Sequence, residues 1–152
     1  MNESLRDLYQ EVILDHGKRP RNFHAMEEAT AVAEGFNPLC GDRLNLYLRV
    51  KDGVVEEASF QGRGCAISTA SASMMTQAVK GKTEEEVRRL FDSFHNQVTG
   101  GEAGQGGPRA DLGKLAVFAG VREFPTRIKC AVLAWHTLKA ALSRRREMVT
   151  TE

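Results

Sequence analysis

The strongest constraint on the fold is the alternation of apolar and polar residues in DRLNLYLRVK, at 42–51. Successive side chains of a β-strand point to opposite faces, so the leucines of this segment share one face and predict a strand that packs on one side. Asp52 and Gly53 follow, and this pair readily supplies the left-handed positions of a tight hairpin turn. A returning antiparallel strand is therefore predicted at 54–61. Its inward-facing residues are expected to be Val54, Ala58 and Phe60.

Helical periodicity appears on both sides of this hairpin. Apolar residues recur every three or four positions over 5–13, and Gly17 and Pro20 are typical of the end of that helix. The other helices are predicted after Cys65, after Thr83, over about 111–122 and from Pro125. With a further short strand at 30–36, the pattern predicts an α+β fold in one domain, 1–152. We expect a small three-stranded antiparallel sheet with about five helices packed on one face.

Composition excludes several classes of function. The net charge is +1, so no strong electrostatic field favours nucleic acid as a partner. No apolar stretch reaches the length of a membrane span, and the first residues lack the apolar core of a signal peptide. The three cysteines are an odd and low number, which favours reduced thiols and a cytoplasmic location.

The segment NPLCGDRLNLYLRV, at 37–50, places a cysteine and a carboxylate where the strand begins. If the extended register holds through Gly41, Cys40 and Asp42 both lie on the leucine face, which is expected to point inward. A buried carboxylate is costly unless it is paired or binds a metal. The alternative is that Asp42 is an ordinary turn residue beside a glycine.

The other two cysteines lie near predicted helix starts. Cys65 follows a glycine-rich turn, and a helix N-terminus favours the thiolate form of cysteine. Cys130 lies in the opening turns of the last helix. Three thiolates and the Asp42 carboxylate can supply a tetrahedral zinc site, with Arg43, Arg127 and Lys129 to offset its charge. The spacing is not that of closely paired zinc-finger cysteines, and three small buried core residues are the alternative reading.

Four ordered segments resemble one known family, the U-type iron–sulfur cluster assembly proteins, which comprise the IscU, SufU and NifU N-terminal proteins. The segments are LYQEVILDHGKRPRNF at 8–23, GFNPLCGDRLNLYL at 35–48, FQGRGCAISTASASMM at 60–75 and RIKCAVLAWHTL at 127–138. The resemblance implies the SufE/NifU-like fold. It also implies that the metal ligands are Cys40, Asp42, Cys65 and Cys130.

Three details resemble the zinc-binding SufU branch of the family, and the first is a stretch between Cys65 and Cys130 that is longer than in the classical IscU scaffold. Lys129 stands where the classical IscU scaffold has a histidine immediately before its last cysteine. The chain also reads FPTRIKC where that scaffold carries the chaperone-recognition motif LPPVK. The resemblance therefore implies bound Zn²⁺ and a sulfurtransferase-like role rather than a free-standing enzyme.

In the SufU branch the partner is a SufS-type cysteine desulfurase that uses pyridoxal phosphate. The implied role is to accept persulfide sulfur on Cys40, with Arg127 in support, and to pass it to a downstream cluster scaffold or to apo-proteins. One alternative is a scaffold that binds iron, assembles a [2Fe–2S] cluster on the same residues and hands it on. Another is a structural zinc domain that acts only as an adaptor.

Overall fold

A computed structural model describes residues 3–99, 112–143 and 149–150. Along these residues the elements are α1 (Glu3–Lys18), β1 (Ala31–Asn37), β2 (Asp42–Lys51), β3 (Val54–Arg63), α2 (Ala66–Val79), α3 (Glu84–Thr99), a 3₁₀ helix (Gly113–Glu123), α4 (Pro125–Leu142) and β4 (Val149–Thr150).

The strands form one sheet in the order β3-β2-β1-β4. β2 lies in the centre of the predicted antiparallel meander and pairs with β1 on one side and with β3 on the other. The predicted three-stranded antiparallel sheet is therefore confirmed. β4 adds a two-residue parallel pairing to β1, where Gly35 faces Val149 and Phe36 faces Thr150.

The β2–β3 hairpin has the predicted two-residue turn. Asp52 and Gly53 both have positive φ, at 52° and 75°, as a type I′ turn requires. The register shifts beyond Arg49, which pairs with Glu57 while Val50 pairs with Val55.

The prediction that Val54 faces inward is wrong, because a β-bulge lies between Val54 and the rest of β3. One residue, Glu56, is inserted into β3, so the side-chain alternation changes phase. Val55 is consequently fully buried, whereas Val54, the residue expected inside, is only half-buried. Arg49 stabilises the bulge through ion pairs with Glu56 and Glu57.

The helices cover the leucine face of the sheet, as predicted. α4 packs against β1 and β2, and α2 packs against β3. The strand residues on this face are buried, and they include Leu44, Leu46, Leu48, Ala58 and Phe60. Five helical elements, counting the 3₁₀ helix, are present in the described part of the chain. None of the helices it contains is long and apolar enough to cross a bilayer.

Aromatic packing fixes α3 and the 3₁₀ helix against α4. The Trp135 ring stacks on the Phe94 ring with centroids 4.6 Å apart, and Phe94 contacts Phe118 edge to face at 5.6 Å. The helix expected at about 111–122 is the 3₁₀ helix from Gly113, and position 111 lies outside the described residues. This packing fixes the middle of α4, whose N-terminal turns carry Cys130 beside the β1–β2 turn.

Candidate metal centre

Asp42 is the first residue of β2, and its side chain points inward with the leucines. The residue is fully buried, as the strand alternation predicts. Its Oδ1 accepts a 2.8 Å hydrogen bond from the backbone N–H of Cys65, and its Oδ2 accepts a 3.2 Å bond from Nδ2 of Asn37. These two donors offset part of the cost of burying a carboxylate.

Cys40 lies in the turn between β1 and β2 rather than in the strand. The expected extended register through Gly41 is wrong, because Gly41 has φ +71° and its N–H bonds back to the carbonyl of Asn37 at 2.9 Å. This turn leaves Cys40 exposed. Its Sγ nevertheless lies 3.4 Å from Sγ of Cys130, so the turn itself brings the thiol to the centre.

Cys130 is buried in the second turn of α4. Besides its contact with Cys40, its Sγ is 3.5 Å from the Thr126 carbonyl oxygen and accepts a 3.5 Å bond from Nδ2 of Asn37. Pro125 is the first residue of the helix, where its missing N–H costs nothing. The helix start thus places Cys130 directly beneath the β1–β2 turn.

Cys65 caps the N-terminus of α2, as expected from the sequence. Its Sγ accepts the N–H of Ser68 at 3.4 Å. The neighbouring Cys130 thiol, followed by the helix N–H groups, lowers the pKa of Cys65 to about 7, against the opposing effects of burial and Asp42. The hydrogen bond to Cys65, together with burial, raises the pKa of Cys130. Cys65 is therefore the thiol of this pair that ionises first.

Two glycines allow the end of β3 to approach β2 closely. A Cβ at Gly62 would clash with the backbone oxygen of Arg43, and Gly62 has φ +150°. A Cβ at Gly64 would lie 2.5 Å from Oδ1 of Asp42. The absence of side chains at Gly62 and Gly64 thus allows the N–H of Cys65 to reach the carboxylate.

Three donor atoms lie close enough together to hold one metal ion. One ligand atom each from Cys40, Asp42 and Cys130 lies within 4.8 Å of the other two. Zinc–sulfur bonds of about 2.3 Å in a tetrahedron separate two sulfurs by about 3.8 Å, close to the Cys40–Cys130 distance of 3.4 Å. The Cys65 thiol lies outside this group of three, and Cys65 adjoins the group through the bond from its N–H to Asp42 and its contact with Cys130. Three thiols and one carboxylate fit a zinc ion in number and in type.

Two of the three positive side chains named from the sequence, Arg43 and Arg127, lie on aromatic rings. The guanidinium of Arg127 is 5.0 Å above the ring of Phe124, at the start of α4. The guanidinium of Arg43 is 5.0 Å from the ring centre of Phe36. Both arginines are exposed, and they flank the segments that carry Cys130 and Asp42.

Two residues of the centre were missed from the sequence. Asn37 is fully buried and contacts both Asp42 and Cys130. The signal for it was the hairpin itself, since a turn at 38–41 pairs Asn37 with Asp42. The sequence predicts only a glycine-rich turn before Cys65, whereas the lack of a side chain at Gly64 is what admits the carboxylate of Asp42.

Comparison with known proteins identifies the family. Residues 8–131 match the family described as the NifU-like N-terminal domain. The chain belongs to this family. It is 42% identical over 143 residues to the zinc-dependent sulfurtransferase SufU of Bacillus subtilis, an alignment that covers 94% of this chain and 95% of that protein.

Other members of the NifU-like family carry a different description. The chain is 44% identical over 140 residues to the iron–sulfur cluster assembly scaffold protein IscU of Streptococcus pyogenes, covering 92% of this chain and 86% of that one. The crystal structure of SufU from Fervidobacterium islandicum AW-1, named as a cluster assembly scaffold protein for the SUF system, superimposes with a TM-score of 0.80 at 34% identity. It covers 90% of this chain and 98% of that one.

Proposed function

We propose that this protein is a zinc-dependent sulfur acceptor of iron–sulfur cluster assembly, which takes persulfide sulfur from a SufS-type cysteine desulfurase. The observation that carries the proposal is the position of Cys40. Its thiol is exposed on a turn, yet it is in contact with the buried Cys130 and belongs to a set of metal-binding side chains. An acceptor thiol must be both accessible to a partner and held ready to react. The description of the Bacillus subtilis relative as a zinc-dependent sulfurtransferase supports the same role.

The metal ligands in this proposal are Cys40, Asp42, Cys65 and Cys130. Bound zinc would keep these thiols deprotonated near neutral pH, where a free cysteine is mostly protonated. Asp42 is the hard ligand among soft thiolates, and its two hydrogen-bond donors hold it in one orientation.

Sulfur transfer then follows from the exposure of Cys40. The thiolate attacks the outer sulfur of the persulfide on the desulfurase and forms a new sulfur–sulfur bond. The bond between the two donor sulfurs breaks, and its electron pair leaves with the thiolate of the desulfurase. This exchange needs no external oxidant or reductant, and the persulfide on Cys40 then carries the sulfur, still at the sulfane level, to a cluster scaffold or to apo-proteins.

Two neighbouring side chains fit the approach of a partner. Leu39, next to Cys40, is 59% exposed, which is unusual for a leucine beside a buried centre. Arg127 presents a fixed positive charge on the first turns of α4, where it favours the approach of an anionic persulfide. We assign Arg127 a supporting role through this charge.

The second candidate function is the assembly of a [2Fe–2S] cluster on the same side chains, with iron in place of zinc. The descriptions of the Streptococcus and Fervidobacterium relatives as scaffold proteins favour it. Lys129 stands where the classical IscU scaffold has a histidine, and this departure favours sulfur transfer. A purely structural zinc site is disfavoured by the exposure of Cys40 and Cys65, since such a site is closed.

Mass spectrometry of peptides after reaction with a desulfurase and free cysteine tests the proposal. We expect the mass of one additional sulfur atom on the peptide that contains Cys40, and no acceptance by Cys40→Ser. A reaction without free cysteine is the control. Sulfur found first on Cys65, or undiminished acceptance by Cys40→Ser, would refute the assignment of Cys40.

A further inference from the structure

Asn37 is the one buried amide of the centre, and every part of it is engaged. It is the last residue of β1, it is fully buried, and it pairs with Asp42 across the hairpin. Its Nδ2 donates to Oδ2 of Asp42 at 3.2 Å and to Sγ of Cys130 at 3.5 Å. Its Oδ1 accepts the backbone N–H of Leu39 at 3.3 Å. One side chain therefore joins β1, β2, α4 and the turn that carries Cys40.

The orientation of this amide follows from its partners. The backbone N–H of Leu39 can only donate, so the atom that faces it must be the amide oxygen. The NH₂ group must then face the carboxylate of Asp42 and the sulfur of Cys130, both of which accept hydrogen bonds when they bind a metal. In the reverse orientation, the amide oxygen would face the acceptors of Asp42 and Cys130, and the NH₂ group would face the N–H of Leu39.

The hydrogen bonds divide the candidate ligands into two groups. Asp42 is held at both oxygens, by Asn37 and by the N–H of Cys65. Cys130 is buried and held by Asn37. Cys40 is exposed on its turn, and its thiol contacts the thiol of Cys130. Cys65 is exposed like Cys40, but it is held at the N-terminus of α2, where its Sγ accepts the N–H of Ser68 and its own N–H donates to Asp42. Cys40 is therefore the exposed candidate ligand that lies on a turn.

We propose that Asn37 is a positioning residue of the metal centre, whose amide fixes Asp42 and Cys130 as permanent ligands and leaves Cys40 as the ligand that reacts. This inference rests on the proposed zinc-dependent function. Partners that orient metal ligands typically contribute about 10- to 100-fold to metal affinity.

The most direct variant is Asn37→Asp, which has nearly the same shape. The substitution keeps an oxygen for the N–H of Leu39 but replaces the donor group with a charged acceptor that faces Asp42 and Cys130. Asn37→Ser removes the amide without adding charge, and this variant is measured instead if Asn37→Asp does not fold. The matched control is Asn45→Asp, because Asn45 lies on β2 with its side chain on the opposite face of the sheet.

Zinc affinity is measured by competition with a chelator, and ligand geometry by the visible spectrum of the cobalt-substituted protein. We expect zinc affinity to fall about 10- to 100-fold in Asn37→Asp and less in Asn37→Ser, with altered cobalt bands in both and no change in Asn45→Asp. Circular dichroism identifies the folded variants. Both Asn37 variants binding zinc as tightly as the wild type, with the same cobalt spectrum, would overturn this inference alone. A wild-type chain that holds no zinc would overturn the proposed function and the inference together.

Discussion

The backbone N–H of Cys65 donates a 2.8 Å hydrogen bond to Oδ1 of Asp42, which joins the start of α2 to the start of β2. A carboxylate at a helix N-terminus is favoured by the free N–H groups there. The same bond places the Cys65 thiol beside the group formed by Cys40, Asp42 and Cys130. The first residue of β2 and the N-terminus of α2 therefore belong to the same site.

Gly64→Ala should damage this junction. The added Cβ would lie 2.5 Å from Oδ1 of Asp42, so either the carboxylate or the N–H of Cys65 must move. We expect a loss of about 1–3 kcal/mol in the free energy of unfolding from the overpacking. Zinc affinity should fall at least about 10-fold, because the carboxylate loses its orientation. Urea unfolding and chelator competition measure the two effects.

Gly120→Ala is the control for this substitution. Apart from its chain neighbours and the backbone of its own helix, no described atom lies within 4 Å of a Cβ added at Gly120, which lies in the 3₁₀ helix. It should leave zinc affinity unchanged. Equal zinc affinities in Gly64→Ala and Gly120→Ala would contradict the close approach of Gly64 to Asp42.

Arg127→Gln should slow sulfur acceptance without releasing zinc. The guanidinium stacks on Phe124 and acts on an incoming anion through its charge. Acceptance rates with a desulfurase should fall and should depend less on ionic strength, while the zinc content stays at the wild-type level. Arg88→Gln, an exposed arginine on α3, is the control. A rate and a salt dependence equal to those of the wild type would leave Arg127 as an ordinary surface charge.

His16 should make stability depend on pH. Its Nδ1 is 2.7 Å from Oγ of Ser73, and burial, followed by the charge of Arg21, lowers its pKa below 6.5, against the opposite effect of Asp15. Lys114 adds a smaller lowering. The unfolded chain thus binds a proton near pH 6.5 that the folded chain does not. The free energy of unfolding is therefore at its full value above pH 6.5 and falls as the pH drops from there towards the folded pKa.

Urea unfolding of the wild type and His16→Gln, from pH about 8 to about 5, isolates this contribution. The loss of stability on acidification should be smaller in His16→Gln, because the other groups titrate in both proteins. His24→Gln, at an exposed histidine, should parallel the wild type. An equal pH dependence in His16→Gln and the wild type would show that His16 does not contribute.

Local periodicity in the sequence was enough to predict the buried position of Asp42 and the position of Cys65 at a helix N-terminus. The alternation of leucines along β2 placed Asp42 on the buried face, and the glycine turn before α2 placed Cys65 at a helix N-terminus. Both predictions depend only on neighbouring residues, whose side-chain directions a regular strand or helix fixes.

What the sequence did not reveal depends on pairing between distant residues. The left-handed Gly41 ends the strand register before Cys40, so parity could not be extended to that residue. The role of Asn37 depends on its pairing with Asp42 in the hairpin and on its contact with Cys130 of α4, which local sequence patterns do not predict. Likewise, the bulge opposite Arg49 shifts the inward face of β3, and strand alternation alone does not reveal such an insertion.

The metal content of the purified protein tests the central claim most directly, since the account depends on a zinc centre formed by the three thiols and Asp42. The measurement is elemental analysis with an absorbance spectrum, on the wild type and on Asp42→Ala. We expect close to one zinc per chain and a colourless protein, with zinc held more weakly in the variant. A brown protein with iron and labile sulfide, whose colour persists longer in Asp42→Ala, would contradict the account and favour a cluster scaffold.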